Sequence, residues 1–83
     1  MTREEIAEIN PDALVIDGFD GAIMGVGERI NLGPVVVYDT EKIINIMIER
    51  DGMTYEEATE FFDFNIIGAW MGEFTPIFMT TNI

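Results

Sequence analysis

Three apolar runs rich in β-branched residues, placed between two helix-start signals, restrict the fold of this chain more than any other feature. The runs are "ALVID", "AIMGVGERI" and "PVVVYD", and glycine-rich pieces separate them. Runs of this kind bounded by turn residues predict strands, here a three-stranded meander over about 13–17, 22–30 and 34–38. Their nearly continuous apolar character is typical of a sheet covered on both faces.

Helices are predicted on both sides of the strands. A capping-box pattern, Thr followed three residues later by Glu, occurs at 2–5 and again at 54–57, and such a pattern marks a helix start. The predicted helices cover about 2–9, 41–50 and 54–71, with Asp39 and Gly52 bounding the second. The final segment "FTPIFM" predicts an extended strand, because Pro76 suits only a strand start or a sheet edge.

These elements predict an α+β fold, with an antiparallel sheet packed by helices in the order α-β-β-β-α-α-β. The 83 residues should form one domain, 1–83, because a chain of this length can bury about 60% of its unfolded surface in one core. Apolar residues make up 48% of the chain and the mean hydropathy is +0.20, so folding is expected despite a net charge of −12.

Charge and composition exclude several classes of function. Acids outnumber bases sixteen to four, and no base follows Arg50. This imbalance argues against direct contact with nucleic acid or anionic membrane, which require Lys and Arg, and it favours a basic surface on a protein partner. Cys, His and Ser are absent, so zinc sites, thiol nucleophiles and serine triads are excluded. We therefore predict a non-enzymatic protein without cofactor or bound metal.

The location follows from two further patterns. The N-terminal "MTREEIAEIN" lacks the basic and apolar regions of a secretory signal. The longest uncharged runs are about ten residues, against about 20 for a bilayer span. A soluble cytoplasmic protein is expected.

The stretch "EEATEFFDFN", 56–65, contains the main candidate site. Glu56, Glu60 and Asp63 follow one another at spacings of four and three, so they should share one face of the third helix. Three interpretations stay open: a solvated face, a docking surface for Lys and Arg of a partner, and catalytic or metal-binding carboxylates. Further candidates for partner binding are Asp17, Asp20 and Glu73.

Two glycine-containing motifs have ordinary structural interpretations beside functional ones. "DGFDG" at 17–21 partly matches a calcium loop, but carboxylates that satisfy turn amides are the preferred interpretation. Gly25-Val26-Gly27 matches the start of a dinucleotide fingerprint, but Ile30 occupies the third glycine position and no helix signal follows. A bulged strand is the preferred interpretation.

Aromatic and apolar residues suggest two more sites. Tyr38, Asn65 and Trp70 are candidates for a small-ligand pocket, with the indole ring as a stacking surface. The large apolar residues around "FTPIFM" predict either contact between copies of the chain in a homodimer or higher oligomer, or an edge strand packed across the third helix.

Four motifs carry a resemblance to a known family: "DGFDGAIMG" at 17–25, "VVYD" at 36–39, "GMTYEEATEFF" at 52–62 and "FNIIGAWMGEFTP" at 64–76. They resemble a group of small acidic proteins encoded by tailed phages and prophages. The resemblance extends over nearly all of the chain after residue 12 and is most specific in the C-terminal part. It implies a phage origin, and it brings no activity, cofactor or site residue.

The resemblance favours a role in the host cell. Small phage accessory proteins commonly bind and disable a host protein, and acidic ones can occupy a positively charged nucleic-acid channel. The expected function is therefore inhibition or redirection of a host factor, such as a defence or nucleic-acid-binding protein. The alternatives are a module that sequesters a small ligand or nucleotide, and a Mg²⁺-dependent carboxylate enzyme.

Overall fold

The computed structural model describes residues 1–69 and 71–81. Within these ranges the fold consists of helices and a three-stranded mixed sheet, so the predicted α+β class is confirmed. The elements in chain order are helix α1 (Arg3–Ile9), a 3₁₀ turn (Asp20–Ala22), strands β1 (Ile23–Arg29) and β2 (Leu32–Asp39), helices α2 (Thr40–Asp51) and α3 (Tyr55–Phe61), a π-helical turn (Phe62–Ile66) and strand β3 (Ile77–Met79).

Strand β2 lies at the centre of the sheet. It pairs with β1 as an antiparallel hairpin and with β3 in parallel. The hairpin turns at Asn31, whose φ of 62° lies in the left-handed region that Asn tolerates. The β1 register shifts near Gly25 and again after Gly27, which confirms that these glycines belong to a bulged strand.

The strand predicted at 13–17 is wrong. This segment has no regular structure, and its backbone amides form isolated tertiary hydrogen bonds instead of a ladder. The Leu14 N–H donates to the Phe74 carbonyl at 3.3 Å, and the Ile16 N–H donates to the Tyr38 hydroxyl at 2.8 Å. The third strand of the sheet is therefore β3, and the sheet is mixed where an antiparallel one was predicted.

The core lies between the sheet and helices α2 and α3. Its buried members include Ile6, Val36, Tyr38, Ile43, Met47, Ala58, Phe62 and Ile66. The Phe78 ring of β3 stacks on Tyr38 at 5.8 Å and meets Phe62 edge to face at 5.3 Å. The interpretation of "FTPIFM" as an edge strand is therefore confirmed, while contact between copies of the chain stays a prediction.

The third helix is shorter than predicted. Helix α3 ends at Phe61, and the chain then widens into the π-helical turn before it leaves helical geometry at 67–68. A side chain at Gly68 would place its Cβ 3.1 Å from the Asp63 carbonyl oxygen, so a larger residue there requires the neighbouring backbone to move by a few tenths of an ångström. Tyr55 and Ala69 continue the three- and four-residue spacing of the buried Ala58, Phe62 and Ile66, which predicts a shared core face, but both are exposed.

No helix among the described residues is both long enough and apolar enough to cross a bilayer.

Candidate functional site

The candidate site is on helix α3 and the π-helical turn that continues it. Local hydrogen bonds fix the start of α3. The Thr54 hydroxyl accepts from the Glu57 N–H at 3.1 Å, and the Glu57 carboxylate accepts from the Thr54 N–H at 2.9 Å. These bonds to Thr54 lower the pKa of Glu57. Glu56 lies in the same first turn, where a negative charge is favoured by the helix dipole.

The structure brings the three principal candidates together. Glu56, Glu60 and Asp63 are exposed and line one shallow cleft of about 260 Å³ together with Tyr55 and Thr59. In the part of the chain that the structure describes, none of the three carboxylates forms an ion pair. Like charges at helical spacing repel one another by a few tenths of a kcal/mol. The face therefore carries unbalanced negative charge on a fixed scaffold.

Three of the four bases are occupied elsewhere. The pairings are Arg3 with Asp17 and Asp20, Arg50 with Asp51 and the Gly18 carbonyl, and Arg29 with the carbonyls of Gly33 and Glu73. The fourth base, Lys42, lies in the first turn of α2. The charge is therefore distributed unevenly over the surface, as it is along the sequence.

Asp17 and Asp20 have a different environment from the face on α3. The Arg3 guanidinium donates to Asp17 at 3.0 Å and to both oxygens of Asp20 at 2.9–3.0 Å. These hydrogen bonds raise the pKa of Arg3. The two carboxylates therefore bind an arginine side chain of α1. This ion pair is neither the hydrogen bonding to turn amides nor the calcium coordination that were considered for "DGFDG".

The geometry of the carboxylates bears on metal binding as well. Across residues 1–69 and 71–81, no three Asp or Glu side chains converge on a point that could hold a metal ion. Glu73, the remaining candidate for partner binding, is exposed in the turn before β3 and lines neither cleft of α3.

The predicted small-ligand pocket is not formed by Tyr38. Its side chain is fully buried, and its hydroxyl accepts the hydrogen bond from Ile16. Burial raises the pKa of Tyr38. Asn65 is exposed and lines two clefts, neither of which includes Tyr38. The third candidate, Trp70, lies outside the described residues.

A second cleft beside α3 was missed by the sequence analysis. It has a volume of about 370 Å³ and is lined by Met53, Glu57, Glu60, Phe61, Phe64 and Asn65. The Phe64 side chain is 77% exposed and that of Phe61 is 41% exposed. The sequence did contain a signal for this cleft, because Phe61 and Phe64 are three residues apart and do not fall at the core positions of the helix. The π-helical turn that contains Phe64 has no comparable signature.

Comparison of the chain with protein-family models, with curated proteins and with solved structures found no match.

Proposed function

We propose that this chain is a non-enzymatic binding protein of phage type. It acts in the cytoplasm of the host cell, where it inhibits or redirects a host factor by docking its acidic face onto a basic surface. The observation that carries this proposal is the unbalanced group formed by Glu56, Glu60 and Asp63 on the capped helix α3 and the π-helical turn that continues it. The resemblance to small acidic phage proteins supports the same function.

The physical basis is electrostatic complementarity. Carboxylates held on a fixed helix create a negative potential that attracts a basic groove and speeds encounter at low salt. A defence nuclease or another nucleic-acid-binding protein presents such a groove, because it must neutralise phosphates with Lys and Arg. Asp17 and Asp20 contribute less, since Arg3 already neutralises part of their charge.

The test is affinity capture with matched charge variants. Wild-type chain, the double variant Glu60→Lys/Asp63→Lys and the control Glu8→Lys/Glu28→Lys are immobilised and exposed to bacterial host lysate at low salt. The control changes the net charge equally at exposed positions outside α3. Proteins that elute as the salt concentration rises are then identified and purified.

A host protein retained by wild type and control, but lost by the Glu60/Asp63 variant, is the expected result. Its affinity should fall steeply with salt for wild type and less steeply for the variant, while all three chains melt cooperatively. Equal retention by the Glu60/Asp63 variant and by wild type would place the docking surface elsewhere and refute the proposal.

A further inference from the structure

The surface formed by α3 and its π-helical turn is apolar as well as acidic. Phe61 and Phe64 are both exposed and line the cleft of about 370 Å³ with Met53. Exposed aromatic side chains that line a concave surface characterise interaction sites more than ordinary surface. The volume lies at the small end of the range of about 300–1,000 Å³ found for ligand pockets.

The more exposed of the two rings, Phe64, lies in the π-helical turn. The defining hydrogen bond of this turn runs from the Ile67 N–H to the Phe62 carbonyl at 2.9 Å. Phe62 and Ile66 lie four residues apart and are both buried, whereas Phe64 lies two residues from each and is directed away from the core. Turns of this kind are rare and occur frequently at functional sites. Phe64 is thus exposed within hydrogen-bonded helical structure and not at a frayed helix end.

Glu60 connects the apolar and acidic parts of the face. It lines the cleft with Phe61 and Phe64, and it also lines the cleft with Tyr55 and Asp63 on its other side. The carboxylate therefore lies between two concave surfaces, each with an exposed aromatic ring. A partner that enters both clefts must place a cation near Glu60 and apolar groups on either side of it.

We propose that this face binds a basic amphipathic protein segment, in which large apolar side chains alternate with Lys or Arg. The apolar side chains enter the cleft formed by Met53, Phe61 and Phe64, and the cations meet Glu60 and Asp63. This inference rests on the proposed function and specifies the partner: a purely charged groove would leave the exposed rings unused. A second copy of this chain is a poor occupant, because its net charge of −12 would repel the same face.

The probe is a synthetic helical peptide in which Leu recurs every three and four residues and Lys fills the other positions. Two control peptides separate the contributions, one with Ala in place of Leu and one with Glu in place of Lys. Binding to the full chain is followed by amide chemical shifts, which locate the contact, and by anisotropy of the labelled peptide, which gives Kd.

The Leu–Lys peptide should shift the amides of 53–67 selectively and should bind about tenfold or more tightly than the Ala–Lys peptide. The variant Phe61→Ala/Phe64→Ala should lose about tenfold in affinity. The matched control Met24→Ala/Ile30→Ala, which removes exposed apolar groups from β1 and its turn, should bind as wild type does. The Glu–Leu peptide should not bind.

The outcomes distinguish this inference from the proposed function. If Glu60→Lys/Asp63→Lys weakens peptide binding while Phe61→Ala/Phe64→Ala does not, the proposed acidic docking face is supported and the proposed apolar site is refuted. Equal affinity for the Ala–Lys and Leu–Lys peptides would likewise refute the apolar site alone. If neither pair of variants changes Kd, or if wild-type shifts fall outside 53–67, both proposals fail. Concentration-dependent shifts at 53–67 without peptide would indicate a second copy and overturn the inference.

The measurement on wild type does not depend on how the variants fold. The phenylalanine variants are nevertheless expected to fold, because neither ring belongs to the buried core cluster. Thermal melts followed by circular dichroism check this. If the double variant melts early, the single variant Phe64→Ala replaces it.

Discussion

The substitution Tyr38→Phe tests the central hydrogen bond of the fold by removing a single oxygen atom. The Tyr38 side chain is fully buried, its ring stacks on Phe78, and its hydroxyl accepts from the Ile16 N–H at 2.8 Å. Phenylalanine keeps the ring and its packing, so the change leaves the Ile16 amide without an acceptor. An unsatisfied buried donor costs about 1–3 kcal/mol. Because Ile16 is half-buried, we expect a loss of about 1–2 kcal/mol in the free energy of unfolding.

The assay is urea unfolding followed by circular dichroism. Since 1 kcal/mol corresponds to about 4–8 °C in a domain of this size, the melting temperature should fall by about 4–16 °C. The urea m-value should stay constant, because the same surface is exposed on unfolding. Amide hydrogen exchange should accelerate more at Ile16 than at Val36 in β2, because the lost bond is local to the segment 13–17.

Tyr55→Phe is the matched control. Tyr55 undergoes the same chemical change but is 55% exposed, so its effect should stay within about 0.5 kcal/mol. If Tyr38→Phe is as stable as Tyr55→Phe and the Ile16 amide is equally protected, the hydroxyl does not hold this segment in place.

Three further predictions concern pH, backbone packing and charge. The pKa of Glu57 is lower in the folded chain than its ordinary value of 4.5, so this carboxylate stabilises the fold above pH 4.5, and the contribution is lost as the pH falls through the folded pKa. The variant Glu57→Gln keeps the cap and should flatten the acid limb of a curve of melting temperature against pH. Gly33→Ala would place a Cβ 2.8 Å from the Phe74 ring and should cost about 1–3 kcal/mol in urea unfolding, whereas Gly21→Ala, whose nearest atom is 3.8 Å away, should not. Glu60→Lys should raise the melting temperature at low salt by replacing repulsion with attraction, and this gain should shrink at high salt.

The helices were predictable because their boundaries depend on neighbouring residues. The capping boxes beginning at Thr2 and Thr54 both form, Asp39 caps α2, and Gly52 ends it in the left-handed conformation. Each of these interactions joins residues close in sequence, so residue type and spacing contain the required information. The grouping of the carboxylates on α3 was predictable for the same reason.

The sheet was harder to predict, because its pairing joins distant segments. Strand β3 pairs with β2 across two helices, through partners such as Val37 and Ile77. The apolar run at 13–17 has the composition of a strand, but its amides are satisfied by Tyr38 and Phe74, which lie far away in sequence. The capture of Asp17 and Asp20 by Arg3 is also non-local. Residue type does not specify the π-helical widening after Phe61 either, although the outward direction of Phe64 follows from its two-residue offset from the buried Phe62 and Ile66.

The arrangement on α3 is difficult to explain by solubility alone. If the carboxylates were dispersed over the surface, a net charge of −12 would prevent association between copies of the chain equally well. Dispersed carboxylates would also avoid the repulsion between charges at helical spacing. The exposed ring of Phe64 acts against solubility. Crowded charge and exposed aromatic surface are both unfavourable for the isolated chain, and they occur on the same face, around Glu60. A basic amphipathic partner would relieve both at once, since its cations would offset the repulsion and its apolar groups would cover the rings.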